Sequence, residues 1–474
     1  MLLAAAPLAV ARPVAAEAKP TVPPWPGFCY ERDRFGFWDV GNRIDAYDVG
    51  LLHAGWYNHY TVIEEPSHPG GMRFVQLVRI YPPEPAAGAA CAGCPTWDEV
   101  RAIAQQNPGS LWLIGNEPDR QDYVAAERYA QIYHDFYDFL KAEDPASQVA
   151  IGGVVQPTPI RLQYLDLILD AYQAQYGEMM PVDVWNVHNY VLREKDWYPG
   201  CPDCWGCDIP PGTDPELGIL YEIEDHDNLV YWTGQLRAMR TWMRDRGYRD
   251  RPLIVSEYGI LMWTLFGYDY PRVRDFMLST FDWMTTATDP DTGYPADGNR
   301  LVQAWSWYSL AQSTFEGRPV ASHLFDPATR EITELGRDFG AYTAPLAQPF
   351  PGTVDLQVTA IRHGVAAVGA GGLLTTTVTA QVTNGGASPA GEVQVHFYRD
   401  GMPAGEATLE ALGAGDSQPV SVVWTNLEAG PYTVRAVADP EGLIAECNSY
   451  NNERSSSLMV SGIQIYLPLI GKGG

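Results

Sequence analysis

The chain has 474 residues, with 31 Lys and Arg against 58 Asp and Glu, for a formal charge of −27. That length exceeds one average domain and fits a large domain joined to a small one. So acidic a surface repels phosphate backbones and argues against nucleic-acid binding, while 15 Trp and 27 Tyr suit both a large core and the stacking of sugar rings.

The N-terminus reads MLLAAAPLAVARPVAAEAKP, with an apolar run at 2–10 and a small-x-small site at Ala16-Glu17-Ala18. Residues 1–18 are read as an export signal and 19–27 as a Pro-rich lead-in, with a disordered tail as the alternative. No later run approaches the roughly 18–20 apolar residues of a membrane span, so none is expected.

Residues 35–310 alternate short apolar runs with longer amphipathic stretches. The runs are FGFWDV (35–40), AGWYNHY (54–60), RFVQLVRI (73–80), LWLIGNE (111–117), VAIGGVV (149–155), VDVWNVHNY (182–190), PLIVSEYG (252–259) and LVQAWSWYSL (301–310). Helical spacing stands between them, as with Ala126, Tyr129, Ala130, Tyr133, Phe136 and Leu140 in 123–144. Residues 160–177 and 230–248 behave the same way. Doubly apolar strands alternating with helices imply a parallel sheet covered on both sides. Eight such units predict a (β/α)8 TIM barrel, an α/β fold, over residues 28–346. No Gly-rich phosphate turn follows the first strand, which disfavours an open dinucleotide-binding sheet.

Residues 347–352 read as a linker, and the pattern then changes. Short period-2 strands at 354–364, 373–386, 391–401, 418–427, 430–442 and 455–462 are separated by turns such as Asn384-Gly385-Gly386. They predict a small all-β sandwich of the immunoglobulin or fibronectin kind over 353–461. The apolar, Gly-rich tail 462–474 reads as either a last strand or a sorting signal.

Cysteines stand at 29, 91, 94, 201, 204, 207 and 447. The C-x-x-C spacings of Cys91/Cys94 and Cys201/Cys204/Cys207 suit loop-stapling disulfides in an exported chain, with a structural zinc site as the alternative. Cys447, far from the others, is taken as the free one. The long segment 191–227 follows strand 6, and a loop of that length is expected to form one wall of a cleft.

In a parallel barrel, chemistry gathers at the C-terminal strand ends. Strand 4 ends in Asn116-Glu117-Pro118 and strand 7 in Ser256-Glu257-Tyr258. Strand 6 ends in His188-Asn189-Tyr190, strand 3 in Arg79-Ile80, strand 2 in Trp56-Tyr57-Asn58-His59, and strand 8 passes through Trp305 and Trp307. Two carboxylates facing each other across a barrel mouth are what acetal hydrolysis needs: one protonates the leaving oxygen, the other attacks or activates water. Asp119 and Asp122 are read as caps of the following helix. Metal-dependent hydrolysis is disfavoured, since no His/Asp ligand cluster is evident at the strand ends, and no cofactor is expected.

GNEP at 115–118 with SEYG at 256–259 resembles the two signature sites of clan-A glycoside hydrolases, the (β/α)8 group of retaining glycosidases, over about residues 30–345. The resemblance implies Glu117 as general acid/base, Glu257 as nucleophile, and Asn116 on the sugar 2-hydroxyl. It further implies Tyr190 bonded to the nucleophile with His188 nearby, and Trp305 as sugar platform. GWYNHY is similar to the second strand of some clan-A β-1,3-glucanases, which makes Trp56 and Tyr57 substrate contacts; Arg79 is the candidate for the clan's arginine. The C-terminal part resembles the bacterial CARDB domain through VDLQV (354–358), VTNGG (382–386), FYRDG (397–401), VVWTNL (422–427) and VADPEGLIAECNSYNN (437–452). Such domains are spacers or adhesion modules. The expectation is a secreted or cell-surface retaining glycosidase acting on β-1,3-glucan first, β-mannan or β-xylan next. The alternative is a non-catalytic carbohydrate-binding or adhesion protein.

Overall fold

Short strands buried on both faces organise the larger domain, as at Phe35–Trp38, Arg73–Val78 and Leu253–Tyr258. A computed structural model describes residues 27–461 apart from 42, 81–90, 92, 197–204 and 369–371; the export signal, Cys201, Cys204 and the tail lie outside the described residues. Eight parallel strands form, β1 (Phe35–Trp38), β2 (Trp56–Asn58), β3 (Arg73–Val78), β4 (Leu111–Asn116), β5 (Gln148–Gly153), β6 (Trp185–His188), β7 (Leu253–Tyr258) and β8 (Ala304–Trp307). Their order is β5-β4-β3-β2-β1-β8-β7-β6. Parallel bridges Ala150–Val184 and Val154–Val187 join the two ends, so the sheet closes into a barrel.

Alternate side chains face in and out. Trp38, Trp56, Leu77, Leu113, Ile254 and Ala304 fill the interior. Gly36 makes room for the Trp56 indole, which a Cβ would meet at 2.6 Å. The outward residues, such as Phe35, Phe37, Trp112, Tyr258 and Trp305, pack under the helices. These are α1 (Trp97–Gln106), α2 (Ala126–Glu143), α3 (Pro159–Tyr176), α4 (Leu229–Asp245), α5 (Tyr270–Thr286) and α6 (Glu334–Thr343). All six apolar positions read as one face of α2 are buried.

Two of the expected helices are absent. The β1–β2 and β2–β3 connections hold only short 3-10 turns among the described residues. Their Gly- and Pro-containing sequences, DVGLLHAG and SHPGG, do not sustain a helix. Helix α6 packs on the first of these segments, with Thr343 Oγ1 donating to Leu52 O at 2.6 Å.

After β8, a small hairpin, β9 (Thr314–Phe315) with β10 (Arg318–Pro319), rises from the barrel mouth. The sandwich follows with β11 (Leu356–His363), β12 (Ala367–Val368), β13 (Leu374–Asn384), β14 (Val393–Arg399), β15 (Met402–Leu409), β16 (Ser417–Leu427), β17 (Gly430–Ala438) and β18 (Glu453–Val460). One sheet holds β11, β12, β13 and β16; the other runs β15-β14-β17-β18. Val378, Val395, Phe397, Trp424, Val434 and Leu458 lie in the core between them. The sequence pattern missed β15. Pro403, Gly405 and Glu406 disfavour a strand, but an edge position tolerates them.

The sandwich is tied to the barrel. Cys447 is not free: it is disulfide-bonded to Cys29. A second disulfide joins Cys91 to Cys94, so that pair staples a loop rather than binding metal. Among the described residues the free thiol is the buried Cys207. Arg73 donates to the carbonyls of Gly27 and Cys447. Tyr30 donates to Asp355 at 2.6 Å. His68 stacks on Tyr450, ring centres 3.7 Å apart. Cys29–Cys447 spans a sequence separation of 418, against 3 for Cys91–Cys94. In the chain-entropy account the longer loop restricts the unfolded state more, within a general range of about 2–4 kcal/mol. Replacing Cys29 and Cys447 by Ser should therefore lower the calorimetric melting temperature more than replacing Cys91 and Cys94.

Candidate active site

The ends of β4, β6 and β7 converge on one point. At the end of β4 the backbone kinks: Gly115 has φ 101° and Glu117 φ 46°. Left-handed backbone at a Glu costs about 1–3 kcal/mol and tends to persist where the site requires it. The kink carries the Glu117 carboxylate into the barrel mouth, where the residue is 1% exposed. At the end of β7 a bulge does similar work. Val187 pairs with Val255, but His188 pairs with Glu257, skipping Ser256.

Glu117, His188 and Glu257 offer ligand-type atoms that all lie within 4.8 Å of one another. His188 Nδ1 is 3.1 Å from Glu117 Oε1 and 3.9 Å from Glu257 Oε2. Its ring sits against Gly153, where a Cβ would lie 2.5 Å from the imidazole. Tyr190 donates its hydroxyl to Glu257 Oε1 at 2.9 Å. Arg120 pairs with Glu117 Oε2 at 3.2 Å and donates to Gly206 O at 3.2 Å. The Asn116 side-chain amide is fully buried with no hydrogen-bond partner among the described residues. A buried orphan amide is costly, and a hydroxyl-bearing ligand would satisfy it.

The electrostatics separate the two acids. Burial, with the negative charge of Glu117, raises Glu257 to about 7, against the opposing pull of His188. Burial also acts on Glu117, but Arg120 and His188 outweigh it and hold that carboxyl near 2. Burial disfavours the charged imidazole of His188, yet the two carboxylates outweigh it and raise its pKa. Two carboxylates this close share one proton over that interval, and as the site stands the proton rests on the Glu257 side.

The triad has the donor set for a divalent cation, contrary to the expectation that no His/acid cluster forms at the strand ends. Glu117 Oε1 and Oε2, His188 Nδ1 and Glu257 Oε1 are engaged, Glu257 Oε2 is buried with no hydrogen-bond partner among the described residues, and the Arg120 cation beside Glu117 repels a second positive charge.

The remaining expected residues divide by strand parity. Trp305 is not a sugar platform. It points outward from β8, is 0% exposed, and packs edge-on against Phe35 at 4.7 Å. Tyr57 also points outward, against Phe37 and Phe74. Trp56 points inward but sits deep in the barrel, with Nε1 on Arg34 O at 3.1 Å. Tyr60 and Tyr308, two residues beyond the inward-facing pair Asn58 and Ser306, reach the mouth, their hydroxyls 3.2 Å apart. Arg79 pairs with Asp122 at 2.8 Å and lies 5.7 Å from the Tyr60 ring. Asp119 and Asp122 are not helix caps, since the α2 N-cap is Ala125. Asp122 accepts from the backbone of Asn116 and Ile80, and Asp119 from Val155 and Arg161, so they pin strand ends. The described parts of the 191–227 segment bring Leu192 and Gly206 to the site.

Fold and site together define a (β/α)8 barrel with a buried carboxylate pair at its mouth, followed by a β-sandwich. Residues 353–456 match the CARDB family model. Among solved structures the chain is similar to the CARDB domain of a Pyrococcus furiosus protein, at 24% identity over 23% of this chain and 90% of that one, TM-score 0.19. It is similar to a GH128 (subgroup II) endo-β-1,3-glucanase from Sorangium cellulosum, at 15% identity over 65% of this chain and 98% of that one, TM-score 0.40. It is also similar to a Bacteroides uniformis β-glucuronidase, at 13% identity over 91% of this chain and 46% of that one, TM-score 0.40. No curated protein matches. The fold assignment rests on the strand order and pairing described above rather than on these likenesses.

Three outcomes check the site's construction. Trp305→Ala should cost about 3–5 kcal/mol of stability by denaturant unfolding, as removal of a core indole does. Tyr308→Phe, which removes only hydroxyl contacts, should cost about 1 kcal/mol. Arg120→Gln removes a cation that favours both carboxylates, so both carboxyl titrations followed by 13C NMR should move to higher pH, Glu117 more than Glu257.

Proposed function

We propose that the barrel is a retaining glycoside hydrolase acting on a β-linked poly- or oligosaccharide. The observation that carries this is the buried pair Glu117 and Glu257, with carboxylate oxygens within 4.8 Å and proton affinities pushed apart. Retaining enzymes hold their two carboxyl groups about 5–5.5 Å apart, inverting ones about 6.5–9.5 Å to admit a water.

In the proposed double displacement, Glu257 attacks the anomeric carbon as the glycosidic bond breaks. Glu117 gives its proton to the leaving oxygen. The glycosyl ester on Glu257 is then hydrolysed by water that Glu117 deprotonates, which restores both groups. Tyr190 steadies the nucleophile, and the Asn116 amide meets the 2-hydroxyl. This sequence requires the shared proton on Glu117. His188, in contact with Glu117 and 3.9 Å from Glu257, offers a route for its transfer. Arg120 must release Glu117 as the leaving group enters.

The resting charge distribution favours a second assignment, with the two roles exchanged. A 2-deoxy-2-fluoro glycosyl fluoride that traps the ester decides between them by peptide mapping: label on Glu257 supports the first, label on Glu117 the second.

β-1,3-Glucan is the first substrate class to test, then β-mannan and β-xylan. The two disulfides fit an oxidising compartment and so a secreted or cell-surface location. The sandwich would serve as a spacer or as a contact to a surface or glycan. Glu117→Ala and Glu257→Ala should each lower kcat by at least about 10²–10⁴-fold on the cleaved substrate. Glycan binding without cleavage by the wild type would favour the non-catalytic platform instead.

A further inference from the structure

The chamber around the carboxylates is small. Its volume is about 30 Å³, space for a few waters at roughly 10–15 Å³ each and none for a sugar ring. Beside it lies a cavity of about 600 Å³, within the usual range of roughly 300–1,000 Å³ for ligand sites. Arg120, Leu192, Leu261 and Phe315 line both spaces and form the partition between them.

We propose that the larger cavity binds the sugar rings on the leaving-group side of the bond to be cleaved, and that Phe315 and Arg120 form the threshold between it and Glu117. The proposal rests on the glycosidase assignment above. Three observations carry it. The first is position. Arg120, at the partition, is bonded to Glu117, the group assigned to protonate the leaving oxygen. The second is chemistry. Trp205, Trp263 and Phe266 supply aromatic surface, while Lys195, Asp208 and Glu316 supply polar groups. Such a lining matches a pyranose, with its apolar faces and hydroxyl rim.

The third is construction. Trp263 Nε1 donates to the Phe315 carbonyl at 3.0 Å, and the Arg318 guanidinium lies 4.1 Å from the Trp263 ring centre. Gln312 donates to Thr314 O at 2.9 Å and accepts from the Tyr308 hydroxyl at 2.5 Å. Phe315 is half-buried against the interior cluster of the barrel, and the hairpin that carries it is otherwise held through these few bonds, which lead back to the barrel mouth. Its strands are two residues each, with Arg318 and Pro319 exposed. A short, solvated element of this kind moves at low cost.

The test uses the full chain with Glu117→Gln, so that substrate is not consumed. Binding of β-1,3-glucohexaose is measured by calorimetry, with β-mannohexaose and β-xylohexaose as further probes. Adding Trp205→Ala or Phe315→Ala should weaken the best-bound hexaose by about tenfold, as loss of an aromatic contact does, and Trp205→Phe should restore most of it. In the active enzyme, Trp205→Ala should raise KM for the hexaose while kcat/KM for the matching glycosyl fluoride stays within about twofold, because a fluoride leaving group occupies no ring site on the leaving-group side. Unchanged hexaose binding, or equal losses on both substrates, overturns the proposal. If the wild type cleaves nothing yet Trp205→Ala still abolishes hexaose binding, the glycosidase assignment falls and the cavity remains a glycan site.

Discussion

Two carboxyl groups buried within 4.8 Å of each other set the terms for the barrel mouth. They cannot both ionise cheaply, so neighbouring groups must decide where one proton sits. Burial and the charge on Glu117 push Glu257 up, while Arg120 and His188 pull Glu117 down against burial. The strained turn at Glu117, the bulge before Glu257 and the bare Cα of Gly153 all serve to hold this unfavourable arrangement in place. A surrounding barrel rigid enough to impose it is the structural requirement.

That rigidity comes from the alternation of the strands. Inward residues fill the lumen in layers, and outward residues form a continuous apolar layer beneath the helices. The same alternation distributes the aromatics. Trp305 and Tyr57 face the helices and hold the shell together; Tyr60 and Tyr308 face the lumen and reach the mouth. Abundant aromatic residues therefore do two different jobs, set by a shift of a single residue along the strand.

The missing helices of the first two connections leave one side of the barrel thinly covered. Helix α6 and the sandwich junction occupy that side. Arg73, at the start of β3, is bonded to the backbone on both sides of the Cys29–Cys447 disulfide. The sandwich is thereby part of the barrel's packing, not a bead on a loose linker.

By itself the sequence determined the eight strands, the helices that follow the third to the eighth of them, the change of pattern near residue 353, and the positions of Glu117 and Glu257 at strand ends. Those features follow from periodicity and punctuation, which are local. The apolar face of α2 was readable for the same reason. Only the tertiary structure decided which aromatic lines the mouth. A run such as AWSWYS shows a period of two but not which phase faces in. Nor could spacing separate the Arg120–Glu117 pair from an ordinary surface pair three residues apart; what gives that pair its weight is burial, which a linear reading does not contain. Asp119 and Asp122 looked like caps because the helix starts nearby, but the strand ends they pin come from distant parts of the chain. The disulfide partner of Cys447 was out of reach for the same reason. Contacts across a separation of 418 residues are made by folding, and no local pattern records them.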